Sequence, residues 1–362
     1  MGLRHGALES VVSDFWRGRR VLVTGHTGFK GSWLCRALHL LGASVTGIAL
    51  DPRPGPSAFA AMEVGPVLEA DHRIDIRDAA AVAQAVRGAR PEVVLHLAAQ
   101  AFVGDGYRDP RGTFATNLGG TVAVLEAMRG LAGLRAAVIV TSDKVYANDS
   151  AGRAFTEEDR LGGIDPYSAS KAAAELAVAS WRGSFADELP PIATARAGNV
   201  IGGGDFGTER LVPDLVRAMV AGKTLMLRRP DATRPFQHVL DVLRGYLTLA
   251  ERLATGGAPA AINLGPRDGE WSVRGLLQHW ETATGMRVDW QAVEGPVMEE
   301  SKRLALDSSL AGRALGWAPL LDTPRAIAAT ASWYAAWQRG EAMAAVTDAA
   351  IRAAFAPQAV AA

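Results

Sequence analysis

The apolar positions of this chain gather into short continuous runs, each emptying into small or polar residues, with helical periodicity between them. The spacing predicts strands at Gly18–Thr24, Ser44–Leu50, Glu92–Ala98, Val138–Thr141, Ile192–Ala197 and Ala260–Gly265, with Asp71–Asp78 as the end of another. Runs without alternation suit strands covered on both faces. Between them, Ser32–Leu41, a stretch ending near Gly88, Thr113–Arg129 and Tyr167–Ser184 read as helices. Strand and helix in turn imply a parallel sheet, so the expected class is α/β: a Rossmann-type doubly wound sheet with a smaller mixed α/β lobe.

The alternation ends at the glycine run Gly198-Asn-Val-Ile-Gly-Gly-Gly-Asp205. Beyond it the pattern predicts helices at Arg210–Lys223, Val239–Leu253, Val273–Thr284, Ser308–Leu315 and Pro324–Gly340, with a short strand at Thr224–Arg228. Residues 1–199 are therefore expected to form the nucleotide-binding domain, to which the chain returns at about 236–265, and 200–362 mainly a substrate lobe. A short helix is expected at Gly6–Trp16, and the Ala-rich tail after Glu341 reads as helix or frayed end.

Two stretches carry chemistry. The first is Gly25-His-Thr-Gly-Phe-Lys-Gly31, between a strand and a helix. There glycines let the backbone approach a pyrophosphate seated on a helix N-terminus. Asp51 stands at the end of the next strand, about twenty residues past the last glycine, where a carboxylate accepts both ribose hydroxyls and repels a 2′-phosphate. That favours NAD over NADP; the alternative is that Asp51-Pro52 only starts a turn. The second stretch joins Thr141-Ser-Asp-Lys144 at a strand end to Tyr167 and Lys171, four apart on one helical face. A lysine lowers the pKa of a nearby phenol, so Tyr167 is expected to act as a base with Ser142 bonding the reacting oxygen. The blander alternatives are a chance Tyr-x-x-x-Lys pair and a strand-end cap at Ser142-Asp143.

Charge and cysteine content narrow the class. Lys+Arg and Asp+Glu number 38 each, which argues against nucleic-acid or membrane-surface partners. Any phosphate must be met locally; Arg196, Arg210, Arg228, Arg229 and Arg234 are the candidates for clamping a diphosphate. The single cysteine, Cys35, excludes an internal disulfide and a thiolate metal cluster, and no metal is expected. No run reaches the length of a membrane span, and a reducing cytoplasm fits.

With these residues in view, the sequence resembles the extended short-chain dehydrogenase/reductase superfamily and, within it, the CDP-glucose 4,6-dehydratases, over about residues 15–340. The runs that carry the resemblance are Gly25-His-Thr-Gly-Phe-Lys-Gly-Ser-Trp33, Leu97-Ala-Ala99, Thr141-Ser-Asp-Lys-Val-Tyr146, Tyr167-x-x-x-Lys171, Arg196-Ala-Gly-Asn-Val-Ile-Gly-Gly-Gly-Asp205, Arg210-Leu-Val-Pro-Asp214 and Arg234-Pro-Phe-Gln-His-Val239. The resemblance implies NAD bound by Gly25, Thr27, Gly28, Phe29, Lys30, Gly31, Asp51, Asp75, Ile76, Leu97, Ala98, Ala99, Asn117, Tyr167 and Lys171. It implies a nucleotide-sugar held by Gln100, Asn199, Arg210, Leu211, Arg234 and Arg303. It implies catalysis by Ser142, Asp143, Lys144, Tyr167 and Lys171: oxidation at C4, loss of water across C5 and C6, and return of the hydride to C6. Asp143 matches the family's acid; Lys144 is either the C5 base or an orienting group. Alternatives are another 4,6-dehydratase specificity, a 4-epimerase (which lacks the acid at 143) and a non-catalytic NAD-binding regulator.

The sequence departs from that pattern at Ala101-Phe-Val-Gly-Asp-Gly-Tyr107, where the family carries Pro-Leu-Val-Arg-x-Ser-Tyr, and at Phe206 and Phe236, which replace tryptophans. A homodimer is expected through the helices bearing Asn117 and Tyr167, on an apolar stripe of Val122, Leu125, Met128, Leu176, Val178 and Trp181.

Overall fold

The computed structural model describes residues 14–148, 152–293 and 304–356. Seven strands form one parallel sheet: β1 (Arg20–Thr24), β2 (Ser44–Ala49), β3 (Ala70–Arg73), β4 (Val93–His96), β5 (Ala136–Val140), β6 (Ile192–Ala197) and β7 (Ala261–Leu264), in the order β7-β6-β5-β4-β1-β2-β3. The order reverses between β1 and β4, which opens a crevice at their carboxyl ends. Alternate residues feed two cores. Val21, Val23, Leu95, Val138 and Val140 share one core with α1 (Phe29–Leu40) and the helix Val239–Thr255; Leu22, Val94, Ala137 and Ile139 share the other with α2 (Ala79–Ala89) and the helices that follow. Each such aliphatic side chain contributes about 1.5–3 kcal/mol by leaving water, and both faces are covered, which is why the strands read as unbroken apolar runs.

After β4 the chain forms α3 (Val103–Arg108), within the segment where the sequence departs from the family it resembles. The predicted Thr113–Arg129 helix is broken in three: Pro110–Phe114, one π-helical turn at Ala115–Gly119, and α4 (Gly120–Met128). Next comes α5 (Pro166–Ser184), with proline at its first position and Asp165 capping the Ser168 amide at 3.0 Å.

Beyond β6 come α6 (Leu211–Ala221), α7 (Val239–Thr255), α8 (Val273–Thr284), α9 (Thr323–Gln338) and α10 (Met343–Phe355); α7 returns to pack on β5 and β6, and the others mainly build the second lobe. Its strands are fragments: Val200–Ile201 pairs with Gln237–His238, Thr233–Arg234 with Trp271–Ser272, and Leu225–Leu227 with Trp290–Ala292. The tail read as helix or frayed end is α10, tied to α1 by a bidentate Arg36–Asp348 pair with its Nε contact at 2.9 Å. The expected Gly6–Trp16 helix lies outside the described residues except for a single turn at Asp14–Trp16, and Arg303 lies outside them altogether. No described helix is long and apolar enough to cross a membrane, and no cluster of metal-ligating side chains occurs among the described residues.

Half of the stripe expected to drive dimerisation is core. Leu125, Met128 and Val178 are fully buried within the chain, packed on the sheet; only Leu176 is strongly exposed.

Candidate active site

β5 is buried along its whole length, and the Thr141 amide still bonds the Ala195 carbonyl of β6 at 2.9 Å. The chain then turns through Asp143–Val145 with Ser142 as the cap: its hydroxyl accepts from the Lys144 amide at 3.2 Å and donates to Asp143 Oδ1 at 3.0 Å. Tyr167 and Lys171 arrive on α5, both buried, with Lys171 Nζ donating to the Val140 carbonyl at 3.1 Å. A cleft of about 410 Å³ brings Lys30, Ser142, Asp143, Lys144 and Tyr167 together with Asn199, Arg210, Leu211 and Arg234. Arg228 and Arg229 also line it.

The electrostatics differ from the expectation in one respect. Burial raises the Tyr167 phenol above its ordinary value; a hydrogen bond with Ser142 and the charges of Lys144 and Arg210 pull it back. Lys171 turns its ammonium to the Val140 carbonyl, and the cations that act most on the phenol are Lys144 and Arg210. Burial also holds the Lys171 ammonium down to about 8, against the pull of Glu175. Lys30 falls to about 7, through burial first and then the charges of Lys171 and Arg210. Cations therefore crowd this cleft, a setting that suits an anionic ligand.

The turn Gly25–Gly31 fits a dinucleotide. Gly25 has φ 77° and lies so close to the next strand that a Cβ there would stand 2.8 Å from the Ala98 amide nitrogen; at Gly31 a Cβ would strike the Gly25 carbonyl oxygen at 2.1 Å. The tight turn leaves the first amides of α1 facing the crevice, which is the cradle a pyrophosphate needs. Gly28 precedes that helix as its cap, Phe29 and Lys30 form its first turn, and Thr27 donates to the Leu50 carbonyl at 2.9 Å. Asp51, just past β2, is exposed, with Arg73 as its ion-pair partner at 3.6 Å among the described residues, so its carboxylate is open to a ribose. Leu97, Ala98 and Ala99 continue β4 along the crevice, the Leu97 and Ala98 amides held by Thr24 at 3.1 Å each. Asp75 is pinned by Arg77, and the buried Ile76 packs against the space over Gly120.

Three residues take other work than expected. Gln100 spends its amide on its own loop: Nε2 donates to the Phe102 carbonyl and to Thr113, both at 2.9 Å, and Oε1 accepts from the Phe102 amide. Asn117 donates to the Gln100 carbonyl at 3.0 Å and Ser170 at 2.9 Å and accepts from the Gln100 amide at 2.8 Å. It staples the crevice loop to α5. Arg196, a candidate clamp, is locked behind the sheet in a 2.9 Å ion pair with Glu175, both nearly inaccessible.

Arg210 keeps its place in the cleft, held by Asp205 at 2.8 Å and stacked on Phe102 with its guanidinium 4.6 Å from the ring centroid. Arg234 is buried and donates to the Thr233 carbonyl at 2.8 Å. Glu175 and Asp205 are the residues that sequence reading passed over. Glu175 stands one helical turn beyond Lys171, a spacing that marks it once the helix is accepted.

The model of the NAD dependent epimerase/dehydratase family matches residues 21–265. Among curated proteins, the CDP-glucose 4,6-dehydratase of Salmonella typhimurium is 40% identical over 339 residues, covering 91% of this chain and 94% of that protein. The dTDP-glucose 4,6-dehydratase of Streptomyces griseus is 32% identical, covering 87% and 93%. Among solved structures, the UDP-glucose-4-epimerase of Stenotrophomonas maltophila, with bound NAD and formylated UDP-arabinopyranose, superposes with a TM-score of 0.77 at 26% identity, covering 89% of this chain and 99% of that one. With the parallel sheet, its glycine turn and this breadth of likeness, the chain belongs to the NAD dependent epimerase/dehydratase family.

Proposed function

We propose that this chain is an NAD-dependent nucleotide-sugar 4,6-dehydratase, a lyase that converts CDP-glucose to CDP-4-keto-6-deoxyglucose. The observation that carries the reading is Asp143, 3% exposed, bonded to Ser142 and facing the same cleft as Tyr167. Oxidation and re-reduction at C4 need only the tyrosine and a cofactor; a carboxyl beside them is what an elimination adds.

The cofactor, when bound on the glycine turn, supplies the acceptor of the C4 hydride and its donor back to C6. Tyr167 takes the proton from the C4 hydroxyl, aided by the Ser142 hydroxyl and by the Arg210 charge, which opposes the effect of burial on the phenol. The 4-ketone acidifies the C5 proton. Asp143 then delivers a proton to the departing C6 hydroxyl, and Lys144, the neighbouring group in the cleft, removes the proton from C5 as its neutral amine. Water leaves, and the C5–C6 double bond accepts the returned hydride at C6 and a proton at C5. Arg210 and Arg234 hold the diphosphate, beside Asn199 and Leu211. A 4-epimerase would need no acid at position 143, which disfavours that reading.

Incubation with NAD and a panel of CDP-, dTDP-, GDP- and UDP-hexoses, followed by mass spectrometry, tests this. A loss of water from CDP-glucose alone is expected; an isomer of unchanged mass would support an epimerase instead.

The same reading includes residues 1–199 with the return at 236–265 as the cofactor-binding part, 200–362 as mainly the substrate lobe, and a cytoplasmic setting, which the buried free thiol of Cys35 suits. It also includes a homodimer through α5 and the helices before it, supported by Leu176, Tyr107 and Phe114, 60%, 42% and 37% exposed. Sedimentation at micromolar protein should show a species of twice the chain mass; a monomer would overturn the dimer.

A further inference from the structure

Behind the cleft, outside its lining, one carboxylate gathers four donors. Glu175 of α5, 4% exposed, accepts from Thr141 Oγ1 at 2.5 Å, Thr194 Oγ1 at 2.7 Å, and Arg196 Nε and Nη2 at 2.9 Å each. Thr141 is the last residue before Ser142 and Asp143, whereas Thr194 lies mid-strand in β6. Tyr167 and Lys171 stand two turns and one turn before Glu175 on the same helical face. Beside the Lys171 bond to the Val140 carbonyl and the Ser142–Tyr167 hydrogen bond, this side chain thus joins the helix that bears the base to the residue just before the acid, and ties both to β6.

We infer that Glu175 is a positioning residue, which sets the spacing between Tyr167 on α5 and Ser142-Asp143 at the end of β5 through its bond to Thr141. The inference rests on the assignment of Tyr167 and Asp143 to proton transfer. Among the described residues the Ser142 side chain bonds Asp143, the Lys144 amide and Tyr167 but not β6, so the tie of this segment to β6 is made by the residue before it. There the Thr141 amide binds Ala195 and the hydroxyl binds Glu175. Proton transfer requires heavy atoms within about 3.2 Å, and a shift of about 1 Å is enough to cost on the order of 10²-fold. The same carboxylate is the countercharge of Lys171, so its loss leaves that ammonium without a neighbouring anion on its own helix.

Arg196 completes the arrangement from the far side. Its Nη1 donates to the Tyr146 hydroxyl at 2.9 Å, and Tyr146 in turn donates to Asn263 of β7 at 2.6 Å. The carboxylate is therefore fixed by three strands, β5, β6 and, through Tyr146, β7. Such a fully bonded buried network holds its members to one geometry. Removing one charge alone would leave the other buried and unpaired, which is strongly destabilising.

The test compares two equal losses. Thr141→Val and Thr194→Val each delete one hydroxyl that bonds the same carboxylate, keep the β-branched shape, and leave the Glu175–Arg196 pair in place. If Glu175 positions the acid-bearing strand end, Thr141→Val lowers kcat for dehydration about tenfold with KM for the nucleotide-sugar within twofold, while Thr194→Val stays within twofold in both. Thermal unfolding should shift by the same few degrees in the two variants, because each loses one buried hydrogen bond. A purely structural role for Glu175 predicts equal kcat in both, and that result, or a Thr141→Val loss confined to KM, overturns the inference. The double variant Glu175→Gln, Arg196→Met removes both charges and so avoids an orphaned ion; it should fold and show a kcat at least as low as that of Thr141→Val. If wild-type protein does not dehydrate any nucleotide-sugar, the proposed function has failed, which is distinguishable from equal behaviour of the two threonine variants.

Discussion

On the sheet side of the cleft, Tyr167 and Lys171 ride a nineteen-residue helix and Ser142 and Asp143 end a seven-stranded sheet, every one of them buried. Across it, the substrate side is assembled from strands of two or three residues, from loops and from the first turns of α6 and α8. Its rim is tied by exposed ion pairs: Arg53 to Asp105 at 3.0 Å and Arg108 to Glu209 at 2.9 Å, with three of the four side chains at least a third accessible. A buried, fully bonded network resists displacement, whereas an exposed pair contributes only about 0–1 kcal/mol. The chemistry is therefore built on the rigid wall and the recognition on the pliable one. Substitutions on the first should change rate, and on the second affinity.

The sharpest break of that contrast would come at Tyr167. Tyr167→Phe keeps the ring and its packing but removes the group that takes the C4 proton, so dehydration should fall about 10³- to 10⁴-fold with substrate affinity nearly intact. Measuring kcat alongside equilibrium binding of the nucleotide-sugar checks this. A variant within tenfold of wild type would remove Tyr167 from the reaction.

Asp143→Asn divides the reaction instead of abolishing it. The amide preserves volume and hydrogen bonding but has no proton to deliver, so C4 oxidation proceeds and elimination slows by about 10²- to 10⁴-fold. Absorbance of the reduced cofactor should build up on the protein, in contrast to Tyr167→Phe, where none should appear. Lys144→Met should suppress exchange of the C5 proton with deuterated solvent and leave the first hydride transfer in place. Dehydration at the parental rate in Asp143→Asn would return the chain to the epimerase reading.

On the pliable wall, Arg210→Met removes a guanidinium that Asp205 and Phe102 hold over the cleft. A hydrogen bond to a charged partner contributes about 1.5–3 kcal/mol, so KM should rise about 10- to 100-fold, with a smaller fall in kcat because the Arg210 charge also holds the Tyr167 phenol down. A fall in kcat at unchanged KM would place Arg210 with the catalytic group and blur the contrast between the walls.

How much of this was legible in the sequence follows the same division. The strands of the sheet were readable because β1, β4, β5 and β6 are covered on both faces, and Tyr167 and Lys171 because a four-residue spacing has one meaning on a helix. The second lobe was less so: a two-residue strand such as Thr233–Arg234 leaves no periodic trace. Gln100 and Asn117 read as ligand groups because an amide looks the same whether it faces a ligand or its own backbone. Arg196 was indistinguishable from Arg210 until Glu175 was seen beside it. The stripe through Leu125, Met128 and Val178 misled for a related reason: a helix packed on a sheet and a helix packed on a second copy present the same apolar spacing.

The smallest effect belongs to the segment where the sequence departs from the family it resembles. At Gly104 a Cβ would stand 2.0 Å from Glu209 Oε2, so that flexible side chain would have to swing away, and Gly106 lies against the Tyr167 amide, where a Cβ would come within 3.2 Å. The two glycines let α3 press against both walls at once, so Asp105, between them, is the point where rim and catalytic helix meet. Asp105 bonds Arg53 at 3.0 Å and Arg108 at 2.5 Å, and those guanidiniums hold its carboxyl below the usual range. Asp105→Asn should weaken both pairs and raise KM about two- to fivefold at low ionic strength, with kcat unchanged. Raising the salt to about 1 M should erase the difference between variant and wild type, because screening shortens the reach of exposed charges to about 3 Å. A salt-independent loss, or one that falls on kcat, would show that α3 braces Tyr167 directly and that the rim belongs to the rigid wall.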